Sequence, residues 1–439
     1  MATSSSRFFS SPRIATVGLA ALVTLGIGFT LHQAFALRIH YYDTYDYLND
    51  ARRLGGDRSA AYYRVHSPLV PVLAIPVARA IGDVEPPDAP IRWVLPHLLG
   101  VALAVFTLVL VFLWLRDRAG TRWALLGLVL LMGTRLFVRY SPFLLVDIAT
   151  AGWAAAAFLA WARATSAHGR PWHYALFGLA VAGGMLTKYS MLILPVPFAA
   201  AELVRIAVER RIRWRRIGGG LLGAAVAAAT FWLFMSTVFT SLDGRPFTFE
   251  TLRELLTGSS AAVAALPHET PWDYAPMLVS CVSFVTVALA ALGAAASLRT
   301  GWRRDLPVAI WVVLFFAVFS LAIGHNEARY LWPALPGLIY FAVLGARTLF
   351  RSLAATAPRL RSAVAVGLLA IAIRPGVAQA IRDSHPFFRT PIQPEVVRFV
   401  QENTRNDRTV FWTGHFVALT PPNPNADLPQ DEFFDFFHL

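Results

Sequence analysis

The sequence predicts an all-α polytopic membrane protein: a bundle of about eleven transmembrane helices, amphipathic juxtamembrane helices in the first outer loop, and a short outer C-terminal tail. Three observations carry this. Of 439 residues, 56% are hydrophobic and only 15% are charged, whereas a soluble chain usually carries about 25% charged residues. Mean hydropathy is +0.53. Apolar runs of about 20 residues, the length that crosses a bilayer as a helix, recur along the whole chain. This pattern excludes a soluble enzyme, a disordered chain and a disulfide-built secreted domain. The one cysteine, Cys281, lies inside an apolar run, so no intrachain disulfide can form.

Apolar runs bounded by charges lie at roughly 14–36, 91–115, 123–138, 144–162, 173–187, 189–204, 217–239, 275–298, 306–323, 331–346 and 363–381. The runs 173–187 and 189–204 meet at Lys188 and need a tight turn there. Runs 68–82 and 251–266 are too short to span and suit helices lying at the interface or re-entering it. The first run follows Arg7 and Arg13 and ends in Ala34-Phe35-Ala36, which a signal peptidase could accept. It is longer than a usual signal h-region, which favours a retained first helix. The chain then divides into a membrane module, 1–381, with its first outer loop at 37–90, and an outer segment, 382–439.

The net charge of +13 is a matter of topology. With the N-terminus in the cytoplasm, the inner segments hold 20 arginines against Asp117, Glu202, Glu209 and Asp305 alone. That is the positive-inside rule applied over many short loops, and it gives no argument for nucleic-acid binding. The other 22 of 26 carboxylates fall on the outer side. Polar chemistry on that side would explain the bias; so, in part, would the weaker exclusion of acids from translocated loops. Localisation in a bacterial inner membrane is the expectation, with the C-terminus periplasmic.

Candidate site residues gather at outer segment ends. In His40-Tyr41-Tyr42-Asp43-Thr44-Tyr45-Asp46-Tyr47-Leu48-Asn49-Asp50-Ala51-Arg52, Asp43, Tyr47, Asp50 and Leu54 recur at i, i+4, i+7 and i+11, and Tyr47, Ala51 and Leu54 form an apolar stripe. This predicts a helix lying on the membrane with carboxylates at its start, where the helix dipole alone would also favour acids. Arg64 and His66, just before the run 68–82, suit either lipid-headgroup anchoring or a phosphate on a lipid-linked substrate. Asp147 lies at the outer end of a span, where a charge is costly, about 2.5–3.5 kcal/mol at mid-bilayer and less near the edge. Lys188, the single lysine beside 38 arginines, has similar standing. Finally, Gly324-His325-Asn326-Glu327-Ala328-Arg329-Tyr330 packs a His, a Glu and an Arg into a minimal turn, where Gly, Asn and Ser would be usual. Such a cluster suits an anion-binding site. No zinc pattern, P-loop, dinucleotide fingerprint or internal repeat is present.

Together these segments resemble the GT-C glycosyltransferases. Asp43…Tyr47…Ala51-Arg52 resembles the D-E-x-x-Y-x-x-x-A-R opening of the branch containing protein O-mannosyltransferases and the bacterial aminoarabinose transferase that modifies lipid A. Leu186-Thr187-Lys188 resembles its L-T-K segment, and Asp147 the acid at the start of its fourth span. His325…Glu327…Arg329-Tyr330…Pro333…Pro336 resembles its H-x-E-x-R-Y-x-x-P-x-x-P segment, and Pro394–Thr404 the short helix before its outer domain. The sequence departs from that pattern at Thr44, which stands where the second acid would be; at His66, which stands where Lys often precedes Pro-Pro; and in its final segment, which at 58 residues is abbreviated.

The resemblance implies an inverting transferase acting on the outer face, with a polyprenyl-phosphate-linked sugar as donor and a lipid, glycan or protein as acceptor. Asp43 would be the general base, with Asp46 or Asp147 orienting hydroxyls. Arg329, Lys188 and, with them, His66 and Arg64 would neutralise the departing phosphate, while Tyr47, His325, Glu327 and Tyr330 complete the substrate-binding set. No cofactor is implied, although the Asp43/Asp46 pair leaves a divalent cation open. Two rival readings are a transporter or flippase for a lipid-linked or anionic substrate, and a non-catalytic assembly subunit in which Asp43 would be dispensable. Against transport, the charges gather at the outer edge and not near the midplane.

Overall fold

The computed structural model describes residues 12–37, 42–60, 66–82, 92–244, 246–255, 274–318, 328–357 and 360–384. Among these the structure is all helical. Helix α1 (Pro12–Ala36) is followed by α2 (Tyr42–Leu54) and α3 (Leu69–Ile81), and then by α4 (Leu95–Ala119), α5 (Thr121–Met132) and the short α6 (Arg135–Tyr140). Next come α7 (Val146–Ala164), α8 (Pro171–Thr187), α9 (Val196–Glu209) and α10 (Trp214–Asp243). The remainder comprises α11 (Tyr274–Val282), α12 (Phe284–Thr300), α13 (Trp302–Val318), α14 (Leu335–Thr356) and α15 (Arg361–Asp383).

The described residues of the eleven apolar runs are largely helical, and two of the runs break in their interior at Gly133 and Ser283. The run 123–138 stops at Gly133, and Thr134 caps α6 by accepting a hydrogen bond from the Phe137 N–H at 3.0 Å. The Gly133 carbonyl released by the break accepts the Gly376 N–H of α15 at 3.0 Å, beside Pro375 in the interior of that helix. The run 275–298 bends by 104° at Ser283, whose φ is +82° and whose Oγ caps α12 through the Thr286 N–H. By length and apolarity, six described helices can cross a membrane, or seven with this bent pair as one span, so the count of eleven does not follow from these criteria. Helix α7 shows how a helix inside the bundle falls short of them. It carries Asp147 and many alanines, and most of its residues are buried against α4, α8 and neighbouring helices. A helix solvated by protein has less need of lipid-grade apolarity.

The packing is that of a membrane bundle, with small residues where backbones approach. A Cβ on Gly293 of α12 would sit 1.8 Å from the Phe341 carbonyl oxygen of α14, and one on Gly345 would sit 1.9 Å from that of Leu289. Gly178 of α8 meets the Gly223 carbonyl of α10 in the same way, at 2.3 Å. At the centre, Trp114 stacks between Phe158 and Tyr340, each at a centroid distance of 5.1 Å.

The two ends of the bundle differ in charge. At one, Arg163 at the close of α7 pairs with Asp117 at the close of α4 (3.3 Å), and Glu202 and Glu209 of α9 hold Arg205, Arg216, Arg213 and Arg303. These are residues assigned to one side by the charge pattern. Asp147 begins α7 at the opposite end, about 24 Å away along the helix at 1.5 Å per residue.

Helix α2 departs from expectation. It is amphipathic but more enclosed than a helix lying on a surface: Asp43, Thr44, Tyr45, Tyr47, Leu48, Asp50 and Ala51 are all buried, and Asp46, Asn49, Arg52 and Arg53 are partly exposed. It packs against α3, and Thr44 Oγ1 ties it to the Leu144 carbonyl before α7 at 3.3 Å. Its carboxylates can be buried because the bundle supplies cations for them. The segment 251–266 is helical as far as Leu255, and its remainder lies outside the described residues, as does the C-terminal segment from 385.

Candidate active site

Three segments converge at the end of the bundle where α7 begins. Asp43 enters from the first turn of α2, Asp147 from the first turn of α7, and Arg329 and Tyr330 from the 3-10 turn Ala328–Ala334. Helix α8 ends at Lys188, whose backbone is extended (φ −154°, ψ 126°) before the 3-10 turn Tyr189–Ile193. That break is the tight turn demanded by two apolar runs meeting at a charge.

The result is two ion pairs, one buried and one part-buried. The Arg329 guanidinium Nη1 donates to Asp43 Oδ2, with both side chains nearly inaccessible. Lys188 Nζ donates to Asp147 Oδ1 at 2.5 Å, and Asp147 is 1% exposed. Between the two cations lies Tyr330. Lys188 Nζ stands 4.2 Å from its ring centroid and the Arg329 guanidinium carbon 5.4 Å, both within cation–π range. Tyr47, one turn along α2, donates its hydroxyl to Asp43 Oδ2 at 3.5 Å.

A third carboxylate–cation contact adjoins these. His66 Nδ1 lies 3.0 Å from Asp50 Oδ2, and the Tyr47 and His66 rings meet in a T-shaped contact with centroids 5.0 Å apart. The Tyr189 hydroxyl donates to the His66 carbonyl at 3.4 Å, joining this contact to the Lys188 segment. Asp46 is half-buried nearby. Burial pushes its carboxyl up to about 6, with Asp43 and Asp50 adding to the rise and His66 opposing it.

Of the residues anticipated from the sequence, Asp43, Asp46, Tyr47, His66, Asp147, Lys188, Arg329 and Tyr330 share this one region. Arg64, His325 and Glu327 lie outside the described residues. Sequence reasoning put Asp50 on the helix face of Asp43 but missed its role as the buried partner of His66. The i+7 spacing was the available signal. Among the described residues no three His, Cys, Asp or Glu side chains assemble in a way that could hold a metal ion.

Chemically, three carboxylates of the site, Asp43, Asp147 and Asp50, are each already engaged by a basic side chain. An entering anion must compete for those cations, and in doing so it frees a carboxylate. Groups that could accept a proton and groups that could stabilise a departing anion therefore lie within one side chain of each other.

Comparison with known proteins agrees with this architecture. Residues 93–236 match the family model described as dolichyl-phosphate-mannose-protein mannosyltransferase, a stretch containing Asp147 and Lys188. No curated protein matches by sequence. The fold is similar to that of ArnT from Cupriavidus metallidurans bound to undecaprenyl phosphate, at 17% identity and a TM-score of 0.62, covering 88% of this chain and 73% of ArnT. It is also similar to the archaeal oligosaccharyltransferase AglB from Archaeoglobus fulgidus in complex with an inhibitory peptide and a dolichol-phosphate. There the identity is 14% and the TM-score 0.59, over 88% of this chain and 58% of AglB. The chain thus has the GT-C fold, is an integral membrane protein, and spans less than two thirds of AglB. The family match and the fold together point to a glycosyltransferase of the GT-C type.

Proposed function

We propose, with the GT-C fold as premise, that the protein is an inverting glycosyltransferase that moves a sugar from a polyprenyl-phosphate-linked donor to an acceptor hydroxyl on the outer face of a bacterial inner membrane. The observation that carries this reading is the convergence of Asp43–Arg329 and Asp147–Lys188 around Tyr330 at one end of the bundle.

In this reading the donor's phosphate oxygens engage Arg329, which can hold them in a fork, and Lys188, which acts as a compact charge. Arg329 then leaves Asp43, whose carboxylate becomes available to the acceptor. The acceptor oxygen attacks the anomeric carbon, its proton passes to Asp43, and the bond from that carbon to the phosphate oxygen breaks. The lipid phosphate departs with the electron pair, its charge met by the same cations. Asp46 and Asp147 accept hydrogen bonds from sugar or acceptor hydroxyls. The acceptor is a lipid, glycan or protein. The chemistry needs no nucleotide, because a lipid phosphate is already a good leaving group.

The test uses full-length protein in nanodiscs with a panel of radiolabelled polyprenyl-phosphate sugars, following binding and slow hydrolysis of each. Saturable binding of one donor, weakened in Arg329→Ala, supports the reading and identifies the sugar. Binding of none, with lipid scrambling in its place, would replace it with the flippase reading.

A further inference from the structure

We propose that Asp50 is a positioning residue that keeps His66 as an imidazolium, so that the donor's phosphate meets a third cation beside Arg329 and Lys188. This rests on the donor reading above and deepens it. A histidine carries charge at neutral pH only when its surroundings hold the second proton.

Here the surroundings are built for that. The Asp50 side chain is fully buried, and Oδ2 stands 3.0 Å from Nδ1 of an imidazole that is itself 20% exposed. A buried carboxylate at hydrogen-bond distance favours the charged form of the imidazole, because an opposite charge within about 4–6 Å raises the pKa of a histidine. The ring is oriented as well as charged. Tyr47 meets it in a T-shaped contact, and the Tyr189 hydroxyl fixes its backbone carbonyl. Through Tyr47 it is one side chain from Asp43 and Arg329. Through Tyr189 it is one residue from Lys188.

Among the described residues, the titratable groups facing the imidazole are Asp43, Asp46, Tyr47 and Asp50 from α2 and Tyr189 from the turn after α8; neighbouring Lys188 is engaged by Asp147. Burial opposes charge on the ring. The Asp50 hydrogen bond and charge, followed by the charges of Asp43 and Asp46, outweigh it, and His66 titrates above its ordinary range.

The experiment measures the affinity of undecaprenyl phosphate for the full chain in nanodiscs as a function of pH. It is done in an Asp46→Asn background, so that the Asp46 carboxyl contributes no titration. Affinity should fall roughly tenfold or more as His66 loses its proton, the scale of a hydrogen bond to a charged group. Asp50→Asn, which keeps an oxygen for Nδ1 but removes the charge, should move the fall to lower pH. His66→Lys should abolish the fall while preserving tight binding at high pH. A fall at the same pH with and without the Asp50 charge overturns the proposal and leaves the donor reading standing, as does a His66→Lys profile that still falls. Absence of saturable binding by wild-type protein at every pH overturns the donor reading and this inference with it.

Discussion

Arg329 and Asp43 are 286 residues apart in sequence, and the guanidinium of one lies against the carboxylate of the other. The contact joins the first turn of α2 to the 3-10 turn before α14. It also holds the proposed base in a salt bridge until something else takes the arginine. In the proposed mechanism, donor binding therefore precedes proton abstraction.

Asp43→Asn keeps the shape of the side chain and one acceptor oxygen for Arg329, but it cannot take a proton from the acceptor. Transfer should drop by at least about 10²-fold, the lower range for loss of a positioned general base, with donor binding retained. Single-turnover assays beside equilibrium donor binding check this. Normal turnover would move the base assignment to Asp46 or Asp147.

Lys188→Met leaves Asp147 buried without its cation. Breaking a buried pair from one side costs about 3–5 kcal/mol, whereas removing both partners costs much less. Thermal unfolding of Lys188→Met, Asp147→Leu and the double variant should show the double less destabilised than the two singles combined. Additive losses would mean the pair has no coupling.

The Asp46 carboxyl, pushed up to about 6 chiefly by burial, is neutral below that pH and anionic above it. An extra negative charge beside a bound phosphate opposes it. Undecaprenyl phosphate should therefore bind more weakly as pH rises through about 6, and Asp46→Asn should remove that step while leaving any later one. Titrating affinity from acid to neutral pH in wild type and variant decides the matter.

At the α12–α14 crossing, Gly345→Leu places side-chain atoms where the Leu289 carbonyl already stands. Overpacking of this kind costs about 1–3 kcal/mol or more. Gly18→Leu on α1, where an added Cβ meets nothing within 4 Å, is the matched control. Unfolding midpoints in one detergent should separate the two clearly.

The polar constellation was largely legible residue by residue, because charges at membrane-segment ends stand out against an apolar background. Asp147, Lys188 and Arg329 were each conspicuous singly. Their pairing was not legible. Nothing in the local sequence says that Lys188 takes Asp147 and Arg329 takes Asp43, or that Tyr330 stands between the two cations. Nor could the pattern of α2 reveal its burial, since a helix of alternating acids and tyrosines reads as a surface element until its partners are known.

By itself the sequence determined the medium, the helical character and the separation of charge between the two ends of the bundle. All three follow from transfer free energies that act residue by residue or over a single apolar run. The tertiary structure decided which helices break, at Gly133 and Ser283, where a neighbouring backbone or a local cap satisfies the freed groups. It also decided which described carboxylate meets which basic side chain, because an ion pair depends on the distance between groups remote in the chain, and only packing sets that distance.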